Sequence, residues 1–195
     1  MINYSLNTDI RKKTYGVLGV ASAAIAGGAT LVLQTVPLPV AAPSGLVVFG
    51  LLTALFDRYA WRWPFINKLI EIPIIDGYWE GTVVRSGLDG QPDETRKVKM
   101  TVTQRWSTIS IVFTGQSSSS HASVVAMNIA DPKQISLRWV YDARDISGHP
   151  AKNRYGEGTT MLTLASTNGR RLLNGIYYST KLSKGTLSLT EVRNG

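Results

Sequence analysis

Eight residues spread between positions 85 and 177, Arg85, Ser118, Ser120, Trp139, Tyr141, Arg154, Tyr155 and Tyr177, carry side chains suited to one kind of ligand. Guanidinium forks pair with phosphates and carboxylates. Aromatic faces stack bases, and serine hydroxyls both donate and accept. Together they suit an anion that bears flat rings. Covalent or acid–base chemistry has little support. There are two histidines, His121 and His149, both in turn-forming stretches. No nucleophile elbow, phosphate loop or metal-ligand spacing occurs. Asp142 and Asp145 lie close together in a polar loop, where carboxylates are usually solvated. The chain has no cysteine, which excludes a disulfide framework and a thiolate metal site. A non-enzymatic binding protein is expected, with no catalytic residues, no metal and no cofactor.

For these residues to converge, the elements that carry them must share an end. From Gly77 onward the hydrophobic period is two. Alternating segments run near Gly77–Ser86, Arg96–Trp106, Thr108–Gly115, Ala122–Ala130, Gln134–Asp142, Tyr155–Ala165, Arg171–Ser179 and Gly185–Val192. Turn-forming residues such as Asp131-Pro132 and Thr167-Asn168-Gly169 separate them. Eight consecutive antiparallel strands predict an all-β up-and-down barrel, which removes exposed edges and leaves room for one small ligand. A two-sheet sandwich is the alternative.

Alternation assigns Val98, Met100, Val102 and Trp106 to the inside, with Ile109, Ile111 and Phe113, then Leu137, Trp139 and Tyr141. Tyr78, Arg138 and Asn174 alternate outward. Up-and-down order gathers Arg85, Phe113, Ser123, Tyr141, Arg154, Tyr155 and Tyr177 at one rim, with the serine run Ser117–Ser120 and the polar loop Asp142–Asn153. That rim is aromatic, hydroxyl-rich and basic, and the other end is apolar. A nucleotide-like ligand fits such a mouth. The plainer alternative is that Trp139, Tyr141 and Tyr177 fill a closed core.

Ahead of the strands, forty-three consecutive residues, Thr14 to Phe56, carry no charge. One membrane-spanning helix needs about 20 apolar residues. The middle, Val36-Pro37-Leu38-Pro39-Val40-Ala41-Ala42-Pro43, breaks a helix. Two transmembrane helices joined by a proline turn are expected, over 14–59. A cytoplasmic segment 1–13 precedes them, a juxtamembrane linker 60–75 follows, and the barrel is 76–195. Arg11-Lys12-Lys13 on one side and Arg58, Arg62 and Lys68 on the other put both ends in the cytosol. Tyr59, Trp61 and Trp63 then stand at the headgroup level. A cleaved signal peptide fits poorly, because the apolar run continues past a turn. Small residues four apart, Gly19, Ala23 and Gly27 beside Ser22 and Ala26, let helices approach closely. The formal charge of +8 favours anionic partners.

These motifs in this order resemble a family. The hairpin is followed by Asp76-Gly77-Tyr78-Trp79-Glu80-Gly81, whose opening is similar to the start of lipocalin-like barrels. Then come Gln104-Arg105-Trp106, Thr114-Gly115-Gln116-Ser117-Ser118-Ser119-Ser120, Leu137-Arg138-Trp139-Val140-Tyr141, Gly158-Thr159-Thr160-Met161-Leu162 and Leu173-Asn174-Gly175-Ile176-Tyr177. The set resembles the two-transmembrane, β-strand-rich effectors of bacterial cyclic-oligonucleotide-based antiphage systems. The resemblance implies a lipocalin-like barrel in the cytoplasm that binds a cyclic dinucleotide. It implies a multi-pass protein of the bacterial inner membrane, whose partners are the lipid bilayer and, on activation, further copies of itself. Membrane disruption and death of the infected cell follow, with no DNA or RNA polymer involved. The chain departs from the family pattern at Trp139, where tyrosine is commoner, and at Tyr155, near a family histidine; both keep an aromatic face. A membrane-tethered barrel for a lipid or other apolar ligand is the alternative function.

Overall fold

The computed structural model describes residues 1–6, 9–34, 43–86, 93–131, 134–145, 156–180 and 183–192. The chain falls into two compact units, Met1–Asn7 with Pro73–Gly195, and Thr8–Ile72.

In the helical unit, α1 (Ile10–Gln34) is a 25-residue helix. At about 1.5 Å per residue it exceeds the roughly 30 Å of a hydrocarbon core. Among the described residues it is the one helix long and apolar enough to cross a membrane. The second helix, α2 (Gly45–Arg58), has 14 residues, and the expectation of two full-length spans is corrected accordingly. Its start is set by Ser44, whose side chain accepts a hydrogen bond from the Val47 amide at 3.3 Å. Its end comes with the charges at Asp57 and Arg58. Most of the proline segment expected to form the turn lies outside the described residues. A tight 3₁₀ turn, Ala60–Arg62, and a short helix α3 (Pro64–Ile70) follow. Tyr59 and Trp63 are exposed, but Trp61 is fully buried. Of the three aromatics expected at the headgroup level, Trp61 is thus one that the protein itself covers.

The other unit is one β-sheet. Its strands are β1 (Ile2–Leu6), β2 (Gly77–Arg85), β3 (Glu94–Gln104), β4 (Thr108–Thr114), β5 (Ser118–Asp131), β6 (Gln134–Asp145), β7 (Gly156–Thr167), β8 (Arg170–Ser179) and β9 (Lys184–Val192). Neighbours from β2 to β9 pair antiparallel in chain order, and β2 pairs with β9. The order β1-β4-β3-β2-β9-β8-β7-β6-β5 therefore returns on itself. Among the described residues there are nine strands, not the eight expected. The extra one is β1, from a segment read as a cytoplasmic tail. It pairs antiparallel with β4 (Ile2 opposite Ile109) and parallel with β5 (Tyr4 opposite Val125, Leu6 opposite Met127). β4 and β5 meet each other directly only at Val112–Thr114. β1 fills the gap where they part.

The inward sets follow the alternation. Met100, Val102, Trp106, Ile109, Ile111, Val125, Met127, Leu137, Leu162 and Leu173 are almost fully buried. The outward Tyr78 is exposed. The end of the sheet where β2 begins is clamped. Gln104 is fully buried. Its side chain accepts from the Ile75 amide at 2.8 Å and donates to the Pro73 carbonyl at 3.2 Å. Its own amide donates to Asp76 Oδ1 at 2.6 Å. Trp79 Nε1 donates to the Ile75 carbonyl at 3.1 Å. Arg171 stacks over the Trp79 ring, pairs with Glu191 at 2.9 Å and donates to the Ile74 carbonyl. With that end filled and hydrogen-bonded, open space is left at the other.

Candidate functional site

The open end holds a cavity of about 200 Å³. Six of the eight sequence-predicted residues line it: Arg85 from the end of β2, Ser118 and Ser120 from the start of β5, Trp139 and Tyr141 from β6, and Tyr177 from β8. Arg154 and Tyr155 lie outside the described residues, as does His149. His121 is exposed, one residue out of step with Ser120. Among the described residues no cluster of His, Cys, Asp or Glu could hold a metal ion.

Strand register explains why the six meet. Directly paired residues share a face. Arg85 pairs with Gly185, Gly185 with Tyr177, Tyr177 with Thr160, and Thr160 with Trp139. One cross-strand row thus carries a guanidinium, a phenol, a hydroxyl and an indole along the same wall. Trp139 and Thr160 are almost fully buried, at the floor. Phe113 and Ser120, paired across β4 and β5, close the far side. Gly115, also in the lining, turns the chain here, its amide donating to the Ser118 carbonyl at 2.8 Å.

Two glycines make room for the tyrosines. Gly158 lies opposite Tyr141, and Gly185 opposite Tyr177. A Cβ at Gly158 would overlap the Tyr141 hydroxyl and the Tyr178 carbonyl; one at Gly185 would overlap the Val84 carbonyl and press on the Tyr177 ring at 2.7 Å. Each phenol therefore leans over a neighbouring strand's bare backbone. Tyr141 Oη donates to the Tyr178 carbonyl at 3.5 Å. Burial is the main cause that pushes both phenols above the usual tyrosine range, although the Arg85 charge opposes it at Tyr177. Both stay neutral donors at physiological pH.

Gly158→Ala is expected to shift the Tyr141 ring and to lower stability by about 1–3 kcal/mol, the usual cost of overpacking. Urea unfolding together with the near-ultraviolet circular dichroism of the tyrosines measures both. Wild-type values for both would show that neither the Tyr141 ring nor the Tyr178 carbonyl crowds position 158.

The sequence reading missed Arg96, which lines the cavity from β3. The signal was present: Arg96 has the same parity as the inward Val98, Met100 and Val102. Its charge drew attention away from its face. Arg96 pairs with Glu94 in a two-pronged geometry, Nε to Oε1 at 2.7 Å and Nη2 to Oε2 at 2.8 Å. Thr160, Gly158 and Gly185 were missed because their importance depends on what stands opposite them. The arrangement offers stacking faces, neutral hydroxyl donors and two guanidinium groups, which suits a flat-ringed anion.

One family model matches residues 70–191, that of Cap15, cyclic dinucleotide receptor domain. The match spans well over half of the chain, and the chain belongs to that family. It is the family of antiphage effectors that the sequence resembles. It is a receptor family, not a known enzyme family. No curated protein matches.

Proposed function

We propose that this member of the cyclic dinucleotide receptor family is a membrane-anchored antiphage effector whose closed sheet works as a lipocalin-like barrel, with the messenger held in its open mouth. The observation that carries the reading is the cavity itself, whose lining brings Trp139, Tyr141 and Tyr177 together with Arg85 and Arg96. Its volume lies below the roughly 300–1,000 Å³ of sites that enclose a drug-sized ligand. One base therefore enters and stacks, the phosphates lie against the guanidinium groups at the rim, and the rest of the messenger remains at the mouth. That leaves a ligand surface for contact with another copy. Ligated copies then assemble, and their helices disrupt the inner membrane. A ligand shifts such an equilibrium only as far as it prefers the assembled state, so this exposed surface is where that preference would arise.

The helical unit supports a membrane location. Besides α1, the side chains of Trp63, Phe65 and Leu69 are exposed beside Arg62 and Lys68, as at a bilayer interface. A lipid in the cavity is disfavoured by the two arginines at its mouth.

Titration of the full-length protein in detergent with a panel of cyclic dinucleotides tests the reading. At least one is expected to bind. Base stacking on an aromatic side chain is worth about 1–3 kcal/mol, so Tyr141→Ala should weaken that binding roughly ten- to hundredfold with the fold retained. Wild-type affinity in the variant would move the site elsewhere.

A further inference from the structure

At the mouth, a carboxylate already occupies the ground that a phosphate would take. The register of β2 and β3 sets Glu94 directly opposite Arg85, and Arg96 stands two residues further along β3 on the same face. Arg96 grips the Glu94 carboxylate with both prongs of its fork. A guanidinium presents that same fork to phosphate oxygens. It cannot hold two anions in this way at once. Both arginines line the cavity, whereas Glu94 stands just outside the lining. The Glu94 carboxyl is held below the usual carboxylate range, first by its hydrogen bond to Arg96, with the charges of Arg96 and Arg85 adding to it. The carboxylate therefore stays ionised near neutral pH and lies in the field of both cations.

The pair contributes little to holding the sheet together. Its side chains are 46% and 49% exposed, and ion pairs this exposed are weak. Weakness for stability is what makes the pair easy to exchange.

We propose that Glu94 is a built-in competitor for the messenger's phosphate: it occupies Arg96 in the empty receptor and gives way when a phosphate arrives. This rests on the reading of the cavity as a cyclic dinucleotide site and adds a residue to it. A ligand that brings a phosphate to Arg96 must displace the carboxylate, so Glu94 raises the concentration at which the receptor responds. A ligand that fills the cavity without reaching Arg96 leaves the pair intact and is insensitive to Glu94.

The test is a double-mutant cycle on the full-length protein in detergent, with Glu94→Gln, Arg96→Gln and the two combined. The probes are inorganic pyrophosphate and three cyclic dinucleotides: 3′,3′-cyclic di-AMP, 3′,3′-cyclic di-GMP and 3′,3′-cyclic GMP–AMP. Calorimetric titration reads the affinities. Glu94→Gln is expected to tighten binding about three- to fivefold, the upper end of the scale of one exposed ion pair. Arg96→Gln should weaken it. In the Arg96→Gln background, Glu94→Gln should change affinity less than about twofold, because there is no fork left to free. An equal gain in both backgrounds would mean that Glu94 acts only by long-range repulsion, and overturns the proposal. So would unchanged or weaker binding in Glu94→Gln alone. Coupling seen with pyrophosphate but no binding of any cyclic dinucleotide would uphold the competitor and sink the ligand reading. No binding of any probe to any variant would sink both.

Discussion

Removing residues 1–6 is expected to unfold the closed sheet, although they lie outside the stretch that matches the receptor family. β1 is short, but it stands between two strands that part below Val112–Thr114. Without it, β4 and β5 each present a row of unpaired amides and carbonyls, an edge that proteins normally cover or abolish. Tyr4 is the core residue of this strand, only 1% exposed, and it lies opposite the equally buried Val125. Its hydroxyl donates to the Arg105 carbonyl at 3.5 Å, bridging to the β3–β4 turn. Truncating a fully buried large aromatic side chain costs about 3–5 kcal/mol. Whole domains are stable by only about 5–15 kcal/mol, so Tyr4→Ala alone removes a large share, and loss of the strand removes more.

The measurement is urea unfolding of the full-length protein, followed by the fluorescence of the fully buried Trp79 and Trp106. The midpoint of Tyr4→Ala should fall well below the wild type. In a second arm, residues 73–195 expressed alone should be poorly folded and should gain structure on addition of a peptide spanning residues 1–7. A wild-type midpoint in Tyr4→Ala, or a well-folded 73–195 that ignores the peptide, would show that β1 is a passenger on the sheet. The second arm also bears on binding experiments: a fragment starting at Asp76 lacks a strand of the sheet it is meant to represent.

β1 shows where a sequence stops being readable. The strands from Gly77 onward announce themselves because neighbours in the chain are neighbours in the sheet, and each alternates over many residues. Met100 and Val102 can be placed inside without knowing what they touch. Ile2–Leu6 is five residues long and is separated from its partners β4 and β5 by the whole helical unit. Nothing local distinguishes it from a polar tail before an apolar helix. The same limit applies at the site. Arg85, Tyr141 and Tyr177 could be placed at one rim by counting up and down, because strand order and parity suffice. Gly158 and Gly185 could not, since each matters only through the ring across the ladder. Arg96 is a different case: parity puts it inside, but a charged residue on an inward face reads as an error until a cavity is seen beside it.

The helices divide in a similar way. The uncharged run is long enough for two spans, yet length alone does not say how the residues are shared. The structure gives 25 residues to α1 and 14 to α2. A helix of 14 residues is about 21 Å long, short of a full hydrocarbon core. If it enters the bilayer as proposed, the mismatch is met by local thinning or by oligomerisation, and either process makes the helical unit a source of bilayer stress.

On that reading, replacing both Ala23 and Gly27 with leucine should bring messenger-dependent membrane damage down to background while leaving the helical unit intact. The two stripes of small residues on α1 have different surroundings. Ser22 is buried, and Ala26 lies 4.0 Å from where a Cβ on Gly45 would stand, so this stripe packs α1 against α2. The other stripe is open. Ala23 and Gly27 are exposed, and a Cβ at Gly19 or Gly27 would meet nothing within 4 Å. Leucine there has room within one copy. It also makes α1 more apolar, so insertion should be kept. What it removes is the close approach of another helix, which small residues permit. The comparison is dye entry in cells that produce the messenger, wild type against the double variant, at matched protein levels in the membrane fraction. Equal dye entry would exclude tight packing along this stripe as the route to damage. It would leave thinning around the short α2 as the better explanation, and leucine substitutions on the exposed face of α2 would then be the informative ones.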